Sequence, residues 1–194
     1  MYNKEVRILY GLFDKRKGYK MKKVLTSVVS VVLIASMGLS VAGCAKKIKP
    51  VTKKDFKKAL EETFDIDDDD YGDYNGDDYD HISYGDHDYI VEFYQFDDED
   101  DALDMFDDIY DDYEDMVDDK DFTGKHRSVY NEKAAYGYIL LNGESDSKDF
   151  FNDDVYGGIY WSGDTLILVL VVSDKDKYVD NVSTMIRAIG YPKP

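Results

Sequence analysis

The residues best suited to chemistry are acidic side chains in a stretch, residues 65–80, dominated by Asp, Gly and Tyr. Hard cations such as Ca²⁺ take several carboxylate and carbonyl oxygens as ligands. Four side chains in this stretch offer such oxygens close together, which predicts a calcium site: Asp69, Asp73, Asn75 and Asp77. The alternative is a solvated acidic loop that binds nothing, and the sequence favours this alternative because adjacent carboxylates and glycines are typical of exposed loops.

The spacing does not match the regular EF-hand calcium loop. That loop requires Asp at its first position and Glu at its twelfth, where this sequence has Tyr71 and Ile82. A calcium site here would therefore be irregular, like the weak sites of some extracellular modules.

Motifs of known enzymes are missing from the sequence. His81, His87 and His126 do not have the spacing of zinc ligands. The signatures of serine hydrolases, zinc peptidases and phosphate-binding loops do not occur either. Pairs of carboxylates are expected by abundance alone among 42 acidic residues. We therefore expect a protein that is not an enzyme and has no cofactor other than the weak calcium ion considered above.

A group of aromatic residues in predicted strands offers a second kind of site. Glycines in strands let a ligand approach the backbone closely, so these aromatic side chains could form a surface for a sugar or a peptide. They could equally fill the core beneath helices, and the sequence favours the core. The residues concerned are Tyr136, Tyr138, Tyr156, Tyr160 and Trp161, beside Gly137, Gly157 and Gly158.

An N-terminal segment indicates the location of the protein. Residues 21–23 (Met-Lys-Lys) precede an apolar run, residues 24–40, which ends in residues 41–44 (Val-Ala-Gly-Cys). A positive start, an apolar middle and small residues before a cleavage site are typical of a secretory signal. The last four residues resemble the lipobox of bacterial lipoproteins. The alternatives are an uncleaved membrane helix, for which the run is short and diluted by serines, and a buried helix, which would need a large surrounding core.

The resemblance implies a lipid anchor. In that family the lipobox cysteine, here Cys44, receives diacylglycerol and becomes the mature N-terminus, and the protein stays on the outer face of the cytoplasmic membrane. Cys44 is the only cysteine, so no intramolecular disulfide can form. The predicted organisation is a mis-assigned start or extra segment (1–20), with Met21 as the initiator, a signal peptide (21–43), a lipidated tether (44–51) and one domain (52–194).

The charge of the mature chain limits its partners. From Cys44 onward there are 16 basic and 40 acidic residues. Nucleic acid is therefore not an expected partner, since binding it requires a basic surface. Five lysines directly follow the anchor and could lie close to an anionic bilayer, or could simply keep the tether soluble: Lys46, Lys47, Lys49, Lys53 and Lys54. The function expected is a lipid-anchored binding or interaction module, with a structural acidic lipoprotein as the alternative.

Hydrophobic periodicity predicts three helices. The first covers residues 53–63, with Thr52 as N-cap and Asp55 in the capping-box position. The second covers residues 97–119 and has an apolar stripe and a very acidic outer face. The third follows Ser173 as N-cap and ends at Gly190.

The remaining elements are predicted as three hairpins. The first turns at residues 85–86 and places Ile82 opposite Tyr89; the second turns at residues 131–133; the third turns at residues 162–164. Residues 142–154 are predicted as a polar loop. Residues 165–172 are apolar on both faces and predict the most buried strand. The expected fold is α+β, with about six mostly antiparallel strands and three helices on one face.

Overall fold

The computed structural model describes residues 46–85, 88–147 and 151–194. The predicted signal peptide, Cys44 and His87 lie outside these residues. Within them there are three α-helices: α1 (Lys53–Phe64), α2 (Glu99–Asp118) and α3 (Asp176–Ala188). A short 3-10 helix covers Glu132–Ala134. The strands are β1 (Gly72–Asn75), β2 (Tyr79–Tyr84), β3 (Tyr89–Phe96), β4 (Phe122–Asn131), β5 (Tyr136–Asp146), β6 (Asn152–Ser162) and β7 (Thr165–Val171).

The strands form one antiparallel sheet in the order β1-β2-β3-β7-β6-β5-β4. This confirms the predicted α+β class. The sheet has seven strands rather than about six, because part of the acidic stretch that was predicted as a loop forms β1 and pairs with β2. Among the described residues, no helix is both long enough and apolar enough to cross a membrane.

The helices cover both faces of the sheet, so the prediction that all three lie on one face was wrong. α1 and α3 pack with Ile167, Val169 and Val171 of β7. α2 packs on the other face, against Leu166, Leu168 and Leu170. The physical reason is in β7 itself: since its side chains alternate between two faces and are apolar on both, each face must be covered.

β7 is the centre of the core, as predicted. It occupies the middle of the seven strands, and its residues are at most 2% exposed. The aromatic residues of β5 and β6 also belong to the core: Tyr138, Tyr160 and Trp161 are at most 2% exposed, and Tyr136 and Tyr156 belong to the cluster beneath α1 and α3. The core interpretation of these aromatic residues is therefore confirmed.

The helix ends agree with the sequence in part. The Thr52 hydroxyl accepts a hydrogen bond from the Asp55 N–H at 3.1 Å, as predicted for an N-cap. Gly190 has the left-handed φ of +79° that allows the chain to turn after α3. Ser173, however, is not the N-cap of α3, because that helix begins later, at Asp176, and Lys175 occupies the cap position without a side-chain hydrogen bond.

One of the three predicted hairpins differs in register, and the second, which turns after Asn131 between β4 and β5, is confirmed. β2 and β3 pair with Ile82 opposite Phe93 rather than Tyr89, because Tyr89 at the start of β3 is held by pairing with Val171 of β7. β5 and β6 extend well into residues 142–154, which were predicted as loop. The third hairpin is confirmed: Ser162 faces Thr165 across a two-residue turn, in which Gly163 has a φ of +58°.

Candidate ligand-binding face

Two of the four predicted calcium ligands lie on β1, where α1 supplies ammonium groups. Lys53 Nζ lies 2.7 Å from Asp73 Oδ1 and donates to Asn75 Oδ1 at 2.5 Å. It also lies 3.3 Å from Asp80 Oδ2. Lys57 Nζ donates to Asp73 Oδ2 at 3.0 Å. The oxygens that were predicted to surround a calcium ion therefore surround two lysines.

The electrostatics of this cluster follow from that arrangement. Burial works to raise the pKa of Asp73, but the hydrogen bonds and charges of Lys53 and Lys57 outweigh it and hold this pKa below its ordinary value. The hydrogen bond to Asp73 in turn raises the pKa of Lys57. The cluster holds α1 to the sheet edge and explains why so acidic a segment can form a strand.

The other two predicted ligands do not join this cluster. Asp77 is exposed in the turn between β1 and β2, and Asp69 is exposed before β1. In the part of the chain that the structure describes, no group of three or more His, Cys, Asp or Glu side chains is placed to hold a metal ion. Calcium binding stays a prediction, and it would require displacement of the two lysines.

A different group of residues is brought together at the β1–β3 end of the sheet, on the side of α2. We call it the aromatic face and define it by Tyr74, Tyr79, His81, Glu92 and Tyr94. In register, Tyr74 faces His81 and His81 faces Tyr94, so these side chains project from the same side. α2 packs over β3, β7 and β6, and Tyr74 is 56% exposed. The aromatic face therefore extends from the buried Tyr94 and Glu92 to the exposed ring of Tyr74 at the sheet edge.

The rings of the aromatic face form a connected surface. Tyr79 lies between Tyr74 and Tyr94, with ring centroids 5.9 and 6.1 Å away. The His81 ring stacks on Tyr94 at 4.2 Å with an interplanar angle of 10°. Such contacts fix ring orientations and are worth about 0.5–1.5 kcal/mol per pair beyond the area they bury.

Glu92 is the unusual member, because it is a carboxylate only 6% exposed. The Tyr94 hydroxyl donates a hydrogen bond to Glu92 Oε2. His81 Nε2 lies 3.7 Å from the same oxygen, which is too long for a hydrogen bond, and it has no hydrogen-bond partner among the described residues. A buried acid is costly unless neighbouring groups compensate it, so a cation at this place would be favoured.

The edge of the aromatic face contains a glycine for a steric reason. Ser83 lies directly opposite Glu92 and opposite Gly72 on its other side. A Cβ atom at Gly72 would come within 2.8 Å of the Ser83 hydroxyl. Because this position is glycine, β1 places no side chain beside Ser83, the residue that lies between Gly72 and Glu92.

The other described histidine does not belong to this site. His126 lies on β4, at the opposite edge of the sheet, and its Nδ1 is 2.8 Å from the Tyr113 hydroxyl of α2. His81 was a candidate from the sequence, but its neighbours Glu92 and Tyr94 were not predicted. The one available signal was a charged residue, Glu92, within a strand whose other residues, apart from Gln95, are apolar or aromatic.

The chain was compared with protein-family models, with curated proteins and with solved structures, and none of the three comparisons found a match.

Proposed function

We propose that this chain is a lipid-anchored, extracytoplasmic binding module, not an enzyme, and that its aromatic face holds a cationic group of the ammonium type. The observation that carries the proposal is the buried Glu92 carboxylate, which contacts Tyr94 and lies near His81, in a face that continues through Tyr79 to the exposed ring of Tyr74. Aromatic faces attract ammonium groups through their quadrupole, and a carboxylate at the same place adds direct charge attraction. A basic peptide or an amino sugar would present such a group.

The charge of the whole protein supports a cationic ligand. The formal net charge is −18 at pH 7, and a field of this sign raises the local concentration of cations and the rate at which they arrive. This overall negative field attracts a cation to the protein but does not direct it to one carboxylate rather than another. That preference must come from the aromatic face, where Glu92 is buried and rings are within reach.

The anchor is proposed from the sequence alone, on the resemblance of residues 41–44 to a lipobox. Two acyl chains on Cys44 would give stable membrane attachment, where a single chain would not. Labelling of cells with a radioactive fatty acid tests this part: the wild-type protein should be labelled, and Cys44→Ala should not. Label retained by Cys44→Ala would refute lipidation at this residue.

Binding is tested with tetramethylammonium, which carries one charge on an apolar surface and cannot donate a hydrogen bond. Shifts of the tyrosine and histidine ring signals in NMR spectra, measured on the full-length protein in detergent against equal sodium, report its affinity. Glu92→Gln should weaken binding about tenfold or more, since the attraction of two unit charges about 4 Å apart ranges from about 1 kcal/mol in water to about 4 kcal/mol near a protein surface. Tyr74→Ala should weaken it about twofold to fivefold, as expected for an exposed cation–π contact of about 0.5–1 kcal/mol.

A matched control is available in Tyr130, which is 40% exposed and is the other large exposed hydrophobic residue of the described chain. It lies on β4 and donates a hydrogen bond to Asp107 at 2.7 Å, so it also has an acid beside it. Tyr130→Ala should leave the affinity unchanged. Equal affinities of wild type and Glu92→Gln would mean that tetramethylammonium does not bind at the aromatic face.

A further inference from the structure

The chain that follows the predicted anchor is part of the domain. Ile48 is 3% exposed and belongs to the core beneath α1 and α3. Lys46 Nζ donates to the Gly190 carbonyl at 2.7 Å, and the Tyr191 hydroxyl donates to the Lys49 carbonyl at 2.7 Å. Residues 46–51, predicted to be a tether, are thus bound along the C-terminal end of α3.

The length of chain left between anchor and domain is therefore small. Cys44 precedes Lys46 by two residues, and a fully extended chain spans at most about 3.6 Å per residue, or roughly 7 Å here. The polar headgroup layer of one leaflet is of similar thickness, about 5–7 Å. A lipid on Cys44 would hold the surface around Lys46 directly against the headgroups.

That surface has the opposite charge from the far side of the molecule. Residues 46–64, which comprise the bound segment and α1, contain seven lysines and three acidic residues. α2, on the other face of the sheet, contains eleven acidic residues and no basic one. Within the basic part, Lys47, Lys49, Lys54 and Lys58 are exposed. Of these four, Lys58 is paired with an acid, Glu62 Oε1, at 3.8 Å, and both side chains of this pair are largely exposed.

A groove is part of the same surface. It has a volume of about 590 Å³ and lies between the bound segment, α1 and the end of α3, with Lys47, Lys49 and Lys58 among its lining residues and Asp55 and Glu62 on its α1 side. The exposed lysines thus surround a concave region next to the predicted anchor.

From these observations we infer that this surface, which we call the basic face and define by Lys47, Lys49, Lys54, Lys58 and Ala188, docks on an anionic phospholipid bilayer. The inference rests on the proposed lipid anchor. The short connection brings the basic face to the headgroups, and attraction between its lysines and anionic lipid keeps it there. α2 then points away from the membrane, since its acidic residues are repelled by the same lipids.

The orientation is tested with the lipidated full-length protein in vesicles of phosphatidylglycerol and phosphatidylcholine that carry a headgroup quencher. Once the Cys44 thiol is acylated, a single new cysteine can be labelled with a fluorophore, at Ala188→Cys on the basic face or at Asp111→Cys on α2; both positions are exposed. The sheet and its helix layers separate the two labels, each layer being about 10 Å thick. Quenching at residue 188 should be severalfold stronger than at residue 111.

Charge reversal provides the second measurement. Lys47→Glu, Lys49→Glu and Lys54→Glu together should abolish the difference in quenching between the two labels. The same change of charge at Lys120, Lys125 and Lys133, which are exposed elsewhere, should leave the difference intact. Equal quenching at both positions in the wild-type protein, or a difference that survives the first triple variant, would overturn the basic face as a docking surface.

Failure of the anchor has a separate signature. Vesicle flotation reports whether the protein is membrane-bound at all, whichever way it is oriented. Protein that floats with vesicles but shows equal quenching refutes only the orientation. Protein that fails to float refutes the lipid anchor, and the inference is overturned with it.

Discussion

The two faces of the sheet have similar hydrophobic packing beneath their helices, but the outer surfaces of those helices differ in charge. Beneath α2, and beneath α1 with α3, the packed residues are of the same kind: branched aliphatic and aromatic side chains with little exposure. On the outer surfaces, α2 is acidic throughout, whereas α1 carries four lysines among its twelve residues. The comparison teaches that packing determines which helices form here, while the surface charge is left free to serve orientation and binding.

The substitutions with the largest expected effect test whether the hydrophobic cores on the two faces of the sheet contribute equally to stability. Leu168→Asp, on the side of α2, and Val169→Asp, on the side of α1 and α3, should both prevent folding, because each buries an unpaired charge in the central strand. Circular dichroism and thermal melts measure this.

The surface substitution Thr184→Asp, at an exposed position of α3, is the control and should change stability by less than about 0.5 kcal/mol. Leu168→Ala should be intermediate, with a loss of about 2–5 kcal/mol. An unchanged melting temperature for either β7 variant would show that its side of the sheet is not a core.

A smaller effect concerns the ends of α2. Its first turn carries Asp100 and Asp101, which favour the helix dipole, and its last turn carries Asp115 and Asp118, which oppose it. Asp115→Asn with Asp118→Asn should stabilise the protein by about 0.3–1 kcal/mol per residue at low salt.

Asp100→Asn with Asp101→Asn removes the same charge at the other end of α2. Both double variants relieve repulsion among the acidic side chains of the helix. The difference between their free energies of unfolding therefore reports the interaction with the helix dipole. Urea unfolding at low and high salt measures that difference, which should shrink as salt screens it. Identical stabilities for the two pairs would leave no role for the dipole.

The smallest effect concerns the pH dependence of the two sides. On α2, burial raises the pKa of Asp107, and the neighbouring acids raise it further against the hydrogen bond from Tyr130. A raised carboxyl pKa gives stability that is present below the ordinary value of about 4 and is lost as pH rises through the raised pKa. Asp107→Asn should therefore become more stable than wild type between pH 4 and 7, by urea unfolding.

Asp73, on the side of α1, has a lowered pKa. Its contribution to stability therefore changes with pH in the opposite direction. Its contribution is present above the ordinary pKa and is lost as pH falls through the lowered one. Asp73→Asn should be less stable than wild type at pH 7 and should approach it below pH 4. Parallel pH profiles for the two variants would contradict the assigned difference between the sides.

The parts of the fold that sequence predicted are those with a local signal. The apolar stripes of α1, α2 and α3 and the continuous apolar run of β7 depend on residues near one another in the chain. β1 was missed because its stability comes from lysines of α1, about twenty residues earlier, which neutralise Asp73. The distribution of helices over two faces depends on the path of the connections, for which the sequence contains no periodic signal.

The candidate site was harder to predict for the same reason. The aromatic face requires His81, Tyr94 and Glu92 to converge from two strands. The register predicted from the turn would have placed His81 opposite Ile90, four residues from its observed partner. A side-chain constellation across strands is only as predictable as the register, and here the register is set by a third strand, β7.

The central position of β7 also governs the order in which the protein can fold. β1, β2 and β3 reach the rest of the sheet only through β7, which is the last strand in the sequence. A chain that emerges N-terminus first therefore has no complete sheet until residue 171 is present, because the pairing of β3 with β7 joins strands distant in sequence and such long-range pairing is slow to form. Completion of the sheet must therefore wait until nearly the whole chain is available.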